Sequence, residues 1–247
     1  MKKIFAANWK LNKTPEQARE FLIQFKNEAF KTKNFFDTRE VLIFPQAFSL
    51  DAVASLCAGT VIGYGPQNFY FQKSGAFTGE NSAALAQELK AQFALVGHSE
   101  RREIFKEQDA DLNQKNRHLE TLGMTSVFCI GETLAQREAS QTLPICFSQL
   151  DLGLEGIDRG RRLIVAYEPV WAIGTGKVAT LAQVAEVHAA LFDKLTARGF
   201  NNFQILYGGS VKPDNAAELL KVPHVDGFLI GGAALEVPSF VKICLAN

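Results

Sequence analysis

Eight short apolar, β-branched runs alternate with longer helix-patterned stretches along 247 residues, and no linker interrupts them. These observations predict an α/β fold, a (β/α)8 barrel occupying residues 1–247 as a single domain. Strands that alternate with helices form a parallel sheet with right-handed crossovers, and eight such repeats in about 250 residues suit closure. The strand runs are Ile4–Ala7, Val41–Phe44, Val61–Tyr64, Ala94–Gly97, Ser126–Cys129, Leu163–Tyr167, Gln204–Tyr207 and Gly227–Ile230. Between the first two, Pro15–Lys31 follows Thr14, an N-cap residue with proline at the first helical position. Ser82–Ala91, Asp109–Leu122, Leu181–Arg198 and Pro213–Leu220 are rich in helix formers. In the Leu181 segment, Leu181, Val184, Val187, His188, Leu191 and Leu195 make a stripe of helical period. On pattern alone, a doubly wound open sheet is the alternative. The barrel adds an expectation of its own: functional residues lie just past the strands, at the C-terminal face.

Composition narrows the function classes. Hydrophobic residues make up 47% and charged residues 21% of the chain, ordinary for a folded globular protein. Lys+Arg and Asp+Glu are 26 each, so no global field favours nucleic acid or an anionic membrane, and an anionic substrate needs a local positive site. Cys57, Cys129, Cys146 and Cys244 form no CxxC pair and no metal-ligand spacing with the four histidines, which predicts reduced thiols and no metal. Asn8 and Lys10 interrupt the N-terminal apolar run too early for a signal peptide, and no run approaches a membrane span. A cytoplasmic protein is expected.

Several chemically capable groups follow the predicted strands. They are Asn8-Trp9-Lys10 after the first, His98-Ser99-Glu100-Arg101-Arg102 after the fourth, and Glu168-Pro169 opening a segment to Lys177 after the sixth. Gly208-Gly209-Ser210 and Gly231-Gly232 follow the last two. Taken singly, Lys10 reads as a solvated strand-end lysine, His98 equally well as a structural histidine, and Glu168 as a cap or ion-pair partner. A lone Gly-Gly pair is a turn. Two such pairs after the last two strands are stronger, because that is the recurrent phosphate site of the barrel, where backbone N–H groups meet an anion.

Together with Gly75-Ala76-Phe77-Thr78-Gly79-Glu80, Cys129-Ile130-Gly131-Glu132, Tyr167-Glu168-Pro169-Val170-Trp171-Ala172-Ile173-Gly174-Thr175-Gly176 and Tyr207-Gly208-Gly209-Ser210-Val211, these segments resemble the triosephosphate isomerase family. The ordered match runs from Asn8 to Phe240 and implies the TIM barrel. It also implies interconversion of dihydroxyacetone phosphate and D-glyceraldehyde 3-phosphate through an enediolate, without a cofactor. By this resemblance Glu168 is the base, His98 a neutral electrophile and Lys10 the electrostatic stabiliser. Asn8 is a further polar contact and Glu100 a member of the same network. Both acid–base roles and the closing loop are worked cases of general enzymology. The family pattern gives the phosphate to backbone N–H groups of Gly174, Ser210, Gly231 and Gly232, and makes Pro169–Lys177 a closing loop held by Tyr207, Ser210 and Ala179. A helix opening at Ser99 is expected to disfavour imidazolium at His98. Gly75–Glu80 matches an intersubunit loop whose glutamate pairs with Arg101 of a neighbour, so the resemblance implies a homodimer.

The sequence departs from the family pattern at Leu11-Asn12-Lys13, at Lys106 where glycine is usual, and at Ala234 and Glu236. Two rival functions remain open on sequence: another phosphosugar isomerase or lyase, and a noncatalytic phosphometabolite binder. The combination of Lys10, His98 and Glu168 weighs against both.

Overall fold

The computed structural model describes residues 1–174 and 177–246. Eight parallel strands form its sheet: β1 (Lys3–Asn8), β2 (Arg39–Phe44), β3 (Gly63–Tyr64), β4 (Phe93–Val96), β5 (Thr125–Ile130), β6 (Leu163–Tyr167), β7 (Phe203–Tyr207) and β8 (Gly227–Ile230). The order β3-β2-β1-β8-β7-β6-β5-β4 wraps the two ends of the sheet towards each other. Between β3 and β4 there is no ladder. Two single bonds bridge that seam, from Gln92 N–H to the Tyr64 carbonyl at 3.2 Å and from Leu95 N–H to the Pro66 carbonyl at 3.1 Å. Only glycine fits at position 65, where a Cβ would stand 1.6 Å from the Phe93 carbonyl oxygen. The result is a nearly closed TIM barrel, and the open-sheet alternative falls.

Strand alternation divides the core in two. Ile4, Ala6, Leu42, Phe44, Phe93, Leu95, Val127, Cys129, Ile164, Ala166, Leu206 and Leu229 pack as one cluster filling the barrel interior. Their neighbours along the strands, Phe5, Ala7, Val41, Ile43, Phe128 and Val165 among them, pack outward beneath the helices. The interior is therefore solid among the described residues, and the cavity described below lies past the strand ends, on top of it.

The helices are α1 (Pro15–Phe30), α2 (Leu50–Cys57), α3 (Ala83–Glu88), α4 (Ser99–Glu103), α5 (Asp109–Thr121), α6 (Leu134–Glu138), α7 (Thr142–Gly153), α8 (Leu181–Ala197), α9 (Ala216–Leu220) and α10 (Val237–Cys244). The predicted stripe on α8 is buried at Val184, Val187, His188, Leu191 and Leu195, but Leu181 is exposed because it sits in the first turn. Three differences from the sequence expectation have local causes. β3 loses Val61, which is 63% exposed, and the buried Ile62, whose N–H turns to the Thr60 hydroxyl at 3.2 Å. β4 ends before Gly97, whose φ of 74° leaves the strand region. The helix expected from Ser82 stops at Glu88, and Lys90 then turns with φ 67°.

Among the described residues no helix is long and apolar enough to cross a membrane, and all four cysteines are buried and free. Burial pushes the Cys57 thiol up to about 12.

His188, fully buried in α8, faces Tyr167 and Tyr207 and places Nδ1 2.9 Å from the His224 carbonyl. Nδ1 must carry the proton to donate there. Burial lowers the His188 pKa to about 4. The unfolded chain, with an ordinary value near 6.5, therefore binds the extra proton first. Stability from this group is complete above pH 6.5 and declines as pH falls towards 4, by about 3 kcal/mol in all. Urea unfolding at pH 7 and pH 4.5 should show the loss, and His188→Gln should lose less between the same two pH values.

Candidate active site

The C-terminal ends of β1, β4, β6, β7 and β8 surround a cavity of about 220 Å³. Asn8, Lys10, His98, Glu168, Gly174, Ser210, Gly231 and Gly232 line it; Glu100 lies behind the wall, against Lys10. The strand-end groups picked from the sequence thus converge on one site.

Each is positioned by its own local structure. Asn8 ends β1, and its side-chain oxygen accepts from Lys10 N–H at 3.0 Å, closing a short Asx-type turn. That turn holds Lys10 at φ 51°, a left-handed backbone that a lysine adopts only when its surroundings require it. Gln67 completes the constraint by donating to the carbonyls of both Lys10 and Phe44 at 2.9 Å. The Lys10 ammonium then meets Glu100 Oε1 at 2.5 Å. A Cβ on Gly231 would stand 3.2 Å from Lys10 Cε, so glycine there leaves the lysine stem its path.

His98 caps α4, as expected from a helix opening at Ser99. The Glu100 N–H donates to His98 Nδ1 at 3.3 Å. With Nδ1 accepting, the neutral ring carries its proton on Nε2, which faces Glu168 Oε1 at 3.0 Å. The other oxygen of Glu168, Oε2, accepts from Ser99 N–H at 2.9 Å. His98 and Glu168 are both buried, at 6% and 2% exposure, so their interaction is poorly screened. Burial pulls the His98 pKa down, but the Glu168 carboxylate beside it outweighs burial, and the net displacement is upward. The expectation of a ring biased against protonation therefore does not describe this arrangement, because the carboxylate stands directly on Nε2.

The glycine-lined end of the cavity is built from backbone. Gly231 and Gly232 open a 3-10 turn, Gly232–Ala234, whose first N–H groups have no acceptor within the turn. Ser210 differs from the sequence expectation: its N–H donates to the Ala172 carbonyl at 3.1 Å and its hydroxyl does so at 2.6 Å. Here Ser210 holds the start of the loop, and its amide is already engaged. Gly174 reaches the cavity rim with φ 68°. Thr175 and Gly176, part of the expected closing loop, lie outside the described residues. The Tyr207 hydroxyl is buried without a full hydrogen bond; burial raises its pKa to about 12, with the nearby Ala179 backbone opposing the rise.

Sequence reasoning placed Glu132 in a matching segment but missed that it anchors that loop. Glu132, fully buried, receives Trp171 Nε1 at 2.9 Å, the Tyr167 hydroxyl at 3.2 Å and Arg137 at 3.3 Å on one oxygen. Its backbone carbonyl accepts from Val170 N–H. The available signal was a glutamate at the end of an apolar strand with two aromatic donors downstream. Gln67 and Gln149, which brace Lys10 and Gly131, gave no local signal at all.

The departures from the family pattern have a backbone signature. Lys13 and Lys106 adopt φ values of 69° and 59°, in the region that favours glycine. Leu11 is 90% exposed, while Ala234 is fully buried behind the glycine turn.

Among the described residues no group of three or more His, Cys, Asp or Glu side chains is arranged to hold a metal. The triosephosphate isomerase family model matches residues 3–247. A triosephosphate isomerase from Bdellovibrio bacteriovorus is 56% identical, covering 98% of this chain and 99% of the relative. Those from Oleidesulfovibrio alaskensis and Aquifex aeolicus are 44% and 39% identical, covering the whole of both chains in the first case and 98% of each in the second. With the barrel, the cavity and a full-length match in agreement, the chain belongs to the triosephosphate isomerase family.

Proposed function

We propose that one barrel domain interconverts dihydroxyacetone phosphate and D-glyceraldehyde 3-phosphate, with Glu168 as the proton-transfer base, His98 as the electrophile and Lys10 as the electrostatic stabiliser. The observation that carries this reading is the buried Glu168–His98 pair at 3.0 Å in the same cavity as Lys10 and the Gly231-Gly232 turn. A single carboxylate serves both halves of the reaction. It takes a proton from the carbon beside the substrate carbonyl and returns it to the neighbouring carbon. The charge that collects on the former carbonyl oxygen is met by His98 Nε2–H and the Lys10 ammonium in a site of low dielectric. Asn8 fixes the Lys10 turn and faces the same cavity, while Glu100 orients both Lys10 and His98.

To reach substrate, Glu168 leaves His98 Nε2 and Ser99 N–H. That movement removes the strongest of the interactions that raise the His98 pKa. Burial and the Lys10 charge then oppose the remaining pull of the Glu100 carboxylate, and the Glu100 N–H on Nδ1 directs the proton of the neutral ring at substrate. Phosphate is then held by the N–H groups of Gly174, Gly231 and Gly232, and by Ser210 once its amide exchanges partners as the loop closes. A coupled assay with D-glyceraldehyde 3-phosphate tests the reading directly. Turnover by the purified chain supports it, and binding without turnover would make the protein a phosphometabolite binder.

A homodimer working in the cytoplasm is the assembly this reading favours. The loop through Phe77 and Glu80 is exposed, and the Phe77 ring lies against Tyr70 at a ring distance of 4.4 Å. Ile104 and Phe105, just past α4, are 68% and 63% exposed. Arg101 pairs within the chain with Glu107 at 2.6 Å, so contact with a neighbour's loop glutamate would add to that pair. Shortening Gly75–Glu80 is expected to give monomers with at least tenfold lower kcat. Sedimentation of the unmodified chain as a monomer at micromolar concentration would refute the dimer.

A further inference from the structure

Behind the catalytic carboxylate lies a second cavity, of about 180 Å³, bounded by α4, the β5–α6 turn with the first turn of α6, and Gln149 in the C-terminal half of α7. Its wall includes Ser99, Arg102, Glu103, Thr133, Gln136 and Gln149. Among the described residues, Glu168 is the one that borders both this cavity and the substrate cavity. Its two oxygens divide accordingly: Oε1 meets His98, which lines the substrate side, and Oε2 meets the Ser99 amide, which lines the second side.

The two spaces differ in what closes them. The substrate cavity includes Ile173 and Gly174 of the loop proposed to shut over the ligand. In the second cavity only Val170, at the base of that loop, belongs to it. Glu103 at the mouth is exposed, and Thr133 and Gln136 are half-buried. Arg102 is fully engaged with Gly97, Asp109 and Cys129, and Gln149 clasps Gly131, so the wall is held open by bonds that do not involve the lid. The volume accommodates several waters, and the wall supplies the two to four polar partners each one needs.

Resting on Glu168 as the base, we propose that this second cavity is a solvent port for the catalytic carboxyl. It lets the proton taken from substrate exchange with bulk water when the carboxyl swings back to the Ser99 N–H, on the second-cavity side, while the substrate side is still shut. The step is an exchange without net charge: the Glu168 carboxylic acid and D2O give the deuterated acid and HOD. Deuterium then returns to the enediolate in place of the hydrogen removed.

Turnover of unlabelled D-glyceraldehyde 3-phosphate in D2O, with product analysed by proton NMR, reads the partition between hydrogen retained and deuterium incorporated. Glu103→Trp blocks the mouth, and Gln136→Leu removes a polar side chain, whose amide oxygen accepts from Thr133 N–H, from the opposite wall; circular dichroism checks that each variant folds. Each is expected to raise the retained fraction at least twofold, with kcat/KM staying within about twofold of the parent. An unchanged partition in both folded variants, whether or not turnover falls, overturns the port and routes exchange through the substrate cavity. The base assignment is judged separately, by the effect of removing the carboxylate, so loss of the port leaves it standing.

Discussion

Replacing Glu168 with Gln is expected to lower kcat by about a thousandfold while KM changes by less than about threefold. The amide matches the carboxylate in size and still accepts one hydrogen bond, so the buried contacts to His98 Nε2 and Ser99 N–H suffer only a local rearrangement. What disappears is the ability to take a proton from carbon. Binding draws on other groups, chiefly the glycine turn and Lys10, and is preserved. A purified variant free of host enzyme that keeps more than a tenth of parental kcat would exclude Glu168 as the base. A large rise in KM at constant kcat would instead make it a binding residue.

Deleting residues 173–176 is expected to cut isomerisation by about two orders of magnitude or more and, independently, to change what the enzyme makes. The enediolate phosphate can be reprotonated, or it can expel phosphate when the bridging C–O bond aligns with the electron-rich π system. In the closed state proposed above, a donor from Gly174 holds the phosphate away from that alignment, and closure excludes water. The deletion leaves Glu168, His98 and Lys10 in place. The anchors on the N-terminal side of the loop, Trp171 on Glu132 and Ser210 on Ala172, also lie outside the deleted stretch. Proton abstraction therefore continues at a reduced rate, and a larger share of the intermediate gives methylglyoxal and inorganic phosphate. Quantifying both products separates this from unfolding, which lowers the two fluxes together. A folded variant with slower isomerisation and an unaltered elimination ratio would show that the loop does not protect the intermediate.

A capped start helps a helix to be read from the sequence, although α9, expected from Pro213, was read without a side-chain cap bond and begins only at Ala216. Thr14, Ser82 and Thr180 make side-chain caps to the first turns of α1, α3 and α8, and all three helices were legible. Helices α2, α7 and α10 begin at Ser49, Gln141 and Glu236 without a side-chain cap bond, and none was read. Their ends are fixed by packing against the barrel, which a local pattern does not record. Short α6 has a full capping box at Thr133 and was still passed over, because five residues carry too little periodicity. β6 and β8 were legible to the residue, while β3 was not, since its two residues owe their extension to neighbouring β2.

The site shows the same division. Lys10, His98 and Glu168 stand at strand ends, where the barrel itself makes a polar residue conspicuous. Glu132 and Gln67 act through contacts to residues 39 and 57 positions away in sequence. The state of Ser210 was equally hidden: whether its amide serves phosphate or Ala172 is a property of the loop's position.

The pairing order of the sheet has a consequence for how the chain emerges from a ribosome. β1 is among the first segments synthesised, yet one of its two partners, β8, is almost the last, with Ile4 opposite Gly227. At about 5–20 residues per second, tens of seconds separate the two. During that time β1 and β2 can pair, but the far edge of β1 has nothing to bond, and a bare strand edge invites the wrong partner. The other edge of the early group ends in the two residues of β3, too short to recruit a neighbouring nascent chain. Brevity at the seam thus leaves one vulnerable edge in place of two while translation is still under way.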